Sequence, residues 1–176
     1  DWTIYSSIAH IISPFLSNKQ PLLIFSDWFA PGYRAGGPIT SCVNLAYAMR
    51  DHFAVGVITS DRDLGGKQSY PSITTDTWQS FDRGIRVRYC TPGISRIRQV
   101  HAILNESPHA TVYLNSMFSQ SFTLLPLWLL SQNQSRNRVI LTPRGMLKPS
   151  AMKIKAWKKI PFLRLMQRWQ FLRQLS

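Results

Sequence analysis

Cysteine and metal-ligand groupings are both scarce in this sequence. Its two cysteines, Cys42 and Cys90, form no CxxC pair and no disulfide framework, so neither a structural zinc site nor a disulfide scaffold is expected. The four histidines fall in separate segments without metal-ligand spacing, and no metal site is predicted. A reducing cytosol is the compartment that fits this cysteine usage best.

Long hydrophobic runs are absent as well. The most apolar windows, PLLIFS and FTLLPLWLLS, fall short of the roughly 18 to 20 residues that a membrane-spanning helix needs. No signal peptide is evident. The chain begins at Asp1 rather than at a methionine, and we therefore expect it to be a piece of a longer protein.

Acidic residues are missing from the second part of the chain. The net charge is +13, and residues 1–106 contain ten Lys or Arg and all eight acids, whereas residues 107–176 contain eleven Lys or Arg and no acid. A positive electrostatic field over residues 107–176 indicates attraction to an anionic partner, such as lipid head groups, nucleic acid or a phosphorylated ligand. The alternative is a solvated face whose counter-charges lie in another part of the protein.

What is present suits one α/β domain. The chain has 176 residues, 44% of them hydrophobic, which is enough for one globular core. Strands alternate with helices at a spacing of roughly 25 to 30 residues, which predicts a Rossmann-like, doubly wound parallel sheet with right-handed crossovers. Residues 1–20 are expected to be a leader or linker, and residues 21–176 the domain, with a basic helical tail from about residue 150.

The predicted elements follow from hydrophobic periodicity. PLLIFS is continuous and apolar, as in a strand buried on both faces, whereas the alternation in IRVRYC indicates a half-exposed or edge strand. Residues 60–84 are expected to form a long loop or excursion. The remaining predictions are a helix from Pro38, a strand at FAVGVIT, a helix after TPGIS, a strand at TVYLN, a helix at SFTLLPLWLLSQ interrupted by Pro126, and a strand at RVILTP.

Three loops are candidates for a ligand site, because ligands bind at the carboxyl ends of parallel strands. They are residues 27–37, 115–119 and 143–149. In the first, Gly36 and Gly37 precede a helix and can let backbone N–H groups approach an anion. The stretch is neither GxGxxG nor a P-loop, and the glycines could instead serve only to permit positive φ in a wide turn. Asp27 is expected to brace this loop rather than to face the cleft.

Two blocks together carry a resemblance to a known family. DWFAPGYRAGGPITSCVNLAYAMRDHFAVGVITSDRDLG and VILTPRGMLKPSAMKIKAWKK resemble the amino-terminal lobe of family 4 glycosyltransferases, which have the GT-B fold. The likeness covers most of residues 21–160. It implies two Rossmann-like lobes across a cleft, with the acceptor held mainly by this lobe and a nucleotide-sugar donor by the other. It also implies sugar transfer with retention of configuration, without a metal or other cofactor, onto a glycan or polyprenyl-linked acceptor in cell-surface polysaccharide or lipopolysaccharide synthesis.

The resemblance also implies which residues form the site. Gly36 and Gly37 would reach the phosphates of the donor and the transferred sugar. Many relatives have a histidine where this chain has Asn115, so no general base is predicted there and no catalytic residue is assigned. The residues implied to face the acceptor or the cleft are Tyr33, Arg34, Asn115, Ser116, Arg144 and Gly145.

One departure from the family limits the expected activity. Relatives bind the donor with a pair of spaced glutamates in the second lobe, whereas Glu106 is the one glutamate of this chain. A charged nucleotide leaving group needs positioned groups that stabilise it in the transition state. The isolated chain is therefore predicted to be a catalytically incomplete hexosyltransferase fragment that lacks its donor-binding lobe.

The basic tail has an amphipathic pattern that is typical of an interfacial helix on an anionic membrane. The alternative is that its aromatic stripes pack on the sheet or on the absent lobe. With the membrane interpretation, the protein is expected in the cytoplasm, peripheral on the inner face of the membrane. The residues predicted to meet the membrane surface are Lys155, Trp157, Lys158, Lys159, Arg164, Arg168 and Trp169.

Two other function classes stay open from the residues alone. A basic nucleic-acid-binding module would use the charge and the aromatic content, but the basic residues match no reading motif and nucleic acid is not the expected partner. A non-catalytic scaffold derived from a transferase is the other alternative.

Overall fold

A computed structural model describes residues 19–132 and 136–143 of the chain. These residues form one six-stranded sheet flanked by helices. The strands are β1 (Gln20–Phe25), β2 (Phe53–Ser60), β3 (Trp78–Ser80), β4 (Arg86–Cys90), β5 (Thr111–Leu114) and β6 (Arg138–Leu141). The helices are α1 (Gly37–Met49), α2 (Ile94–Glu106) and α3 (Leu125–Gln132), and a π-helical turn, Gln120–Leu124, leads directly into α3.

The order of the strands confirms the α/β, Rossmann-like prediction. The sheet runs β3-β4-β2-β1-β5-β6, and all neighbouring strands are parallel except the antiparallel pair β3 and β4. The chain leaves β1 toward β2 and β4, then returns to place β5 on the other side of β1. This reversal is the topological switch point of a doubly wound sheet.

The sheet has a hydrophobic core on each face, and β1 contributes to both. Leu23 and Phe25 pack into the core beneath α2 and α3, whereas Leu22 and Ile24 pack into the core beneath α1. Side chains of a strand alternate between faces, so a strand covered by helices on both faces needs an apolar residue at every position. The prediction for PLLIFS is confirmed.

IRVRYC was predicted to be a half-exposed or edge strand, and the first alternative is confirmed: buried and half-buried residues alternate in Arg86–Tyr89, while β3 pairs with β4 and takes the edge of the sheet. Trp78 lies directly opposite Arg88 in the antiparallel pair. Its ring centroid is 5.1 Å from the guanidinium carbon of Arg86 and 5.9 Å from that of Arg88. The alternating arginines therefore stack on an aromatic ring. β3 itself lies in the segment 60–84, which was predicted to be a loop or excursion.

Two prolines have the positions that helix geometry allows. Pro38 lies in the first turn of α1, as predicted, where its missing N–H leaves no carbonyl unpaired. Pro126 was predicted to interrupt a helix, but it is the second residue of α3 and the π-helical turn precedes it. Because the π-helical turn runs directly into α3, Pro126 lies where the hydrogen-bond pattern of the helix changes.

Several predicted site residues lie outside the residues that the structure describes. Within residues 19–132 and 136–143, no helix is both long enough and apolar enough to cross a membrane. The predictions outside this part of the chain are those for Arg144, Gly145, Lys155, Trp157, Lys158, Lys159, Arg164, Arg168 and Trp169.

Candidate functional site at the carboxyl edge of the sheet

The floor of the site is the pair of residues that directly follow β1 and β5 at the switch point. The side-chain amide of Asn115 donates to Ser26 Oγ at 3.1 Å, and its backbone N–H donates to Phe25 O at 2.9 Å. Asn115 is only 4% exposed. Its Oδ1 is buried and finds no hydrogen-bond donor among the residues described, so the floor contains one unpaired acceptor atom.

Asp27 links the two sides of this floor. The hydroxyl of Ser119, from the loop after β5, donates to Asp27 Oδ1 at 2.6 Å. Ser119 Oγ also accepts from the backbone N–H of Phe122 at 3.0 Å, which caps the π-helical turn. Burial raises the pKa of Asp27 above its usual value, although the Ser119 hydrogen bond and the charge of Arg96 oppose the shift. Asp27 thus braces its loop, as predicted, and does so at the switch point.

Arg96 reaches the same edge from the first turn of α2, and sequence reasoning missed it. Its guanidinium donates to Cys90 O at 3.0 Å, Ser60 Oγ at 3.4 Å and Ser121 Oγ at 3.3 Å. Its guanidinium carbon lies 4.9 Å from the ring centroid of Phe122. The available signal was its place in TPGISR, three residues into a helix that directly follows a strand.

Neither the carboxylate of Asp61 nor the thiol of Cys90, which both lie near Arg96, is available as a reactive group. Asp61, 1% exposed, forms a bidentate ion pair with Arg62 at 2.7 and 2.8 Å. Burial raises the pKa of the Cys90 thiol to about 12, so a Cys90 thiolate is scarce at neutral pH. Among the residues that the structure describes, His, Cys, Asp and Glu form no group of three that could hold a metal ion.

A carboxylate fixes the middle of the loop between β1 and α1. Asp63, in the loop after β2, accepts hydrogen bonds from the backbone N–H groups of Tyr33 at 2.9 Å, Arg34 at 3.1 Å and Leu64 at 2.8 Å. Burial alone would raise the pKa of Asp63, but these hydrogen bonds lower it below its usual value. Tyr33 is 75% exposed and Arg34 is exposed beside it, so a fixed backbone presents two exposed side chains.

Gly32 explains how this loop packs so closely. A Cβ at Gly32 would lie 2.3 Å from Tyr70 Oη and 3.0 Å from Phe29 O. Only a glycine lets the loop backbone approach the Tyr70 side chain in this way. Gly32 was not among the predicted site residues, because nothing in the local sequence reports the position of Tyr70.

Gly36 and Gly37 lie at the open beginning of α1. Gly36 has a φ of +60°, so the interpretation that a glycine permits positive φ holds for this residue. An added Cβ at Gly36 or Gly37 would meet no described atom within 4 Å, and no side chain of the described part caps the helix. Pro38 has no N–H, and the N–H groups of Ile39 and Thr40 donate to Gly36 O at 3.0 and 3.3 Å, so the N–H of Gly37 is the backbone donor of this turn that no described residue uses.

The described candidates are brought to one edge of the sheet but not into one cluster. Asn115 lies beside Ser26 and Asp27, and the backbone carbonyl of Ser116 accepts a hydrogen bond from Thr123 Oγ1. Tyr33 and Arg34 are bound through Asp63 to the loop after β2. Residues 26–36 connect the two places, since they run from the floor of the switch point to the beginning of α1.

Comparisons of the chain with protein-family models, with curated proteins and with solved structures found no match.

Proposed function

We propose that this chain is the acceptor-side domain of a retaining glycosyltransferase with the GT-B fold. Such an enzyme transfers a sugar from a nucleotide-sugar donor to a glycan or lipid-linked acceptor in cell-surface polysaccharide synthesis, at the cytoplasmic side of the membrane. One observation carries most weight: the uncapped start of α1, with open space over Gly36 and Gly37, at the carboxyl edge of a doubly wound sheet.

The start of α1 suits the diphosphate of a nucleotide-sugar. The N–H of Gly37 has no acceptor among the described residues, whereas the N–H of Ile39 donates to Gly36 O at 3.0 Å. The helix dipole adds partial positive charge at this end of α1. Because neither Gly36 nor Gly37 has a Cβ, a phosphate oxygen can come close to the backbone. Such a site stabilises the negative charge that develops on the leaving group as the sugar is transferred.

The switch point supplies the complementary, polar half of the proposed cleft. Two hydrogen-bonded pairs, Ser26 with Asn115 and Asp27 with Ser119, place hydroxyl, amide and carboxylate groups at this edge. Groups of this kind match the hydroxyls of a sugar acceptor. The donor's base and ribose would be held by the second lobe that the resemblance implies.

The test is a transferase assay of the full-length protein with a panel of nucleotide sugars and lipid-linked acceptors. Gly37→Val places a branched side chain where a phosphate would approach, so kcat/KM should fall by about 100-fold, the size of a lost transition-state contact. Ala48→Val is the matched control, because Ala48 is exposed in the same helix. Unchanged turnover in Gly37→Val, or no transfer by the wild type from any donor, would contradict the proposal.

A further inference from the structure

We infer that a cavity of about 220 Å³, on the face of β3 and β4 that α1 shares, binds a neutral single-ring ligand that carries a hydroxyl group. The cavity lies apart from the proposed sugar-transfer cleft, because no residue of α1 lines it, nor do the polar residues that directly follow β1 and β5. Its position, its fixed borders, its lack of charge and its volume each restrict the ligand.

The cavity lies where the helical layer over the sheet is incomplete. The crossover between two parallel strands usually contains a helix, but residues 61–77, which follow β2, form turns and bends without a helix. Two loop segments, residues 30–31 and 72–73, border the cavity instead, and Val87 and Tyr89 of β4 are its buried inner residues. Space that a crossover helix would fill is therefore left between the loops and the sheet.

Hydrogen bonds hold both loop borders of the cavity in place. The hydroxyl of Tyr89 donates to the backbone carbonyl of Ala30, which ties the first loop to β4. Gln79 Nε2 donates to Thr74 O at 2.8 Å, which ties the second loop to β3. The borders are thus fixed before a ligand arrives, so little ordering of the protein opposes binding.

The lining of the cavity is uncharged, although the whole chain has a net charge of +13. Moving a charge out of water without a partner is costly, so a neutral ligand is favoured. Because Gln79 Nε2 is bound to Thr74 O, Gln79 Oε1 is the free end of this amide, and it is an accessible acceptor without a partner among the described residues. A ligand hydroxyl can donate to it. The other accessible lining residues are Ala30, Pro31, Ser72, Ile73, Ser80 and Phe81.

The volume of the cavity fits one six-membered ring. A cavity of about 150 Å³ holds benzene, and drug-sized ligands occupy roughly 300 to 1,000 Å³, so about 220 Å³ leaves room for one ring with a small substituent. A hexose has hydroxyls on every side, and each one that loses water without gaining a partner costs free energy. Phenol is apolar on both faces and has one hydroxyl at its edge, and it matches this mainly apolar lining better.

The experiment follows the amide NMR signals of the isotope-labelled full chain during titration with phenol, benzene, phenyl phosphate and glucose as separate probes. Phenol should shift the signals of Ile73, Ser80 and Phe81 in a saturable way. It should bind about 2- to 10-fold more tightly than benzene, the value of one neutral hydrogen bond. Phenyl phosphate and glucose should bind at least about 10-fold more weakly than phenol, because one brings a charge and the other unpaired hydroxyls into the cavity.

Two variants test the volume and the hydrogen bond separately. Ser72→Trp fills the cavity from an exposed position and should weaken phenol binding by at least about 10-fold. Ser69→Trp is the matched control, because Ser69 is exposed in the same loop and does not line the cavity. Gln79→Met removes the acceptor atom, so the ratio of the phenol and benzene affinities should fall to about 1.

The dispersion of the amide signals shows whether each variant folds. Should Ser72→Trp not fold, Ser80→Trp fills the cavity from another exposed serine of its lining. The inference is overturned if phenol causes no saturable shift, if Ser69→Trp weakens binding as much as Ser72→Trp, or if the ratio survives Gln79→Met. Binding of phenyl phosphate or glucose as tight as that of phenol would also overturn it. None of these outcomes bears on the proposed transferase activity, because Gly36 and Gly37 do not line the cavity.

Discussion

At the scale of single residues, three glycines of one loop have three different physical roles. Gly32 is needed for close approach to Tyr70, and Gly36 for its positive φ. Gly37 has neither constraint, and its lack of a side chain leaves space at the start of α1. The sequence pattern AGGP could be interpreted at the last two positions, because a helix start is a local feature. The role of Gly32 depends on a residue 38 positions away and could not be predicted.

Gly32→Ala should lower the free energy of unfolding by about 1–3 kcal/mol, because the new methyl group would meet Tyr70 Oη and Phe29 O. Urea unfolding of the two proteins measures the difference. Tyr70→Phe removes a buried hydroxyl that has no hydrogen-bond partner in the described part of the chain, so it should be tolerated and should recover part of the loss in the double variant. Equal stability of Gly32→Ala and wild type would contradict the close packing.

The polar residues at the carboxyl edge of the sheet show which features local sequence cannot predict. Asp27 was identified because it directly follows a predicted strand, and Asn115 because the family resemblance implied it at the end of another. Arg96 lies in a helix whose apolar spacing was recognised, but its partners Ser60, Cys90 and Ser121 come from three other segments. Periodicity indicates which face of a helix is apolar, and it carries no information on which strand ends a polar side chain reaches.

At the scale of elements, the beginning of α2 is held by an acid from a distant loop. Asp76 has a φ of +58°, and its carboxylate accepts hydrogen bonds from Thr91 N at 2.9 Å, Thr91 Oγ1 at 2.6 Å and Ser95 Oγ at 2.8 Å. Since α2 carries Arg96, this contact also positions the candidate site. The helix itself was predicted from TPGIS and its apolar spacing; the carboxylate that binds its first turn was not.

Stability should depend on pH through Asp76. Burial alone would raise the pKa of Asp76, but its hydrogen bonds lower it below the ordinary value of 3.8. A lowered pKa in the folded state means that the stabilisation is complete above the unfolded-state value and is lost as pH falls through the folded-state value. Asparagine tolerates positive φ, so Asp76→Asn should keep the backbone conformation and lower the free energy of unfolding by roughly 1 kcal/mol at pH 7. This difference from wild type should shrink below about pH 4.

Denaturant unfolding at pH 7, 5 and 3 provides the measurement. Asp51→Asn is the control, because the Asp51 side chain is 72% exposed and only 3.6 Å from Arg50 Nε, a geometry that contributes little. A cost of Asp76→Asn that stays constant across this pH range would show that the carboxylate charge plays no part.

The sheet also contains a contact between elements that the alternation of residues in β4 could not predict. The Trp78 ring lies over β2, where a Cβ on Gly56 would be 2.9 Å from its Cη2. Only a glycine at this position of β2 leaves room for the ring. The alternation in β4 left a half-exposed and an edge position open, and β3, which takes the edge, is only three residues long and has no recognisable pattern of its own.

At the scale of the whole molecule, charge is the feature to test. Residues 107–176 carry eleven Lys or Arg and no acid, and each basic residue near an anionic surface contributes about 1 kcal/mol at low salt. The protein should co-sediment with vesicles containing phosphatidylserine and be released as salt rises, because the Debye length shrinks from roughly 10 Å at 0.1 M to 3 Å at 1 M.

Charge-reversal variants distinguish electrostatic binding to anionic lipid from non-specific adsorption. Lys158→Glu with Lys159→Glu should lower the vesicle-bound fraction several-fold, whereas Arg50→Glu, in the described domain, should change it little. Binding that is the same for anionic and zwitterionic vesicles, or that is insensitive to salt, would remove the membrane interpretation and favour the alternative in which the aromatic stripes pack on protein.

The sequence by itself determined the alternation of strands and helices, the burial of β1 on both faces and the start of α1 at the glycine pair. All of these depend on neighbours within a few residues along the chain, where hydrophobic period and backbone restrictions act. Only the tertiary structure decided the strand order with its switch point, the cover of β4 by β3, and the gathering of Asp27, Arg96 and Asn115 at one edge. Those contacts join segments far apart in the chain, so they exist only once the sheet has formed.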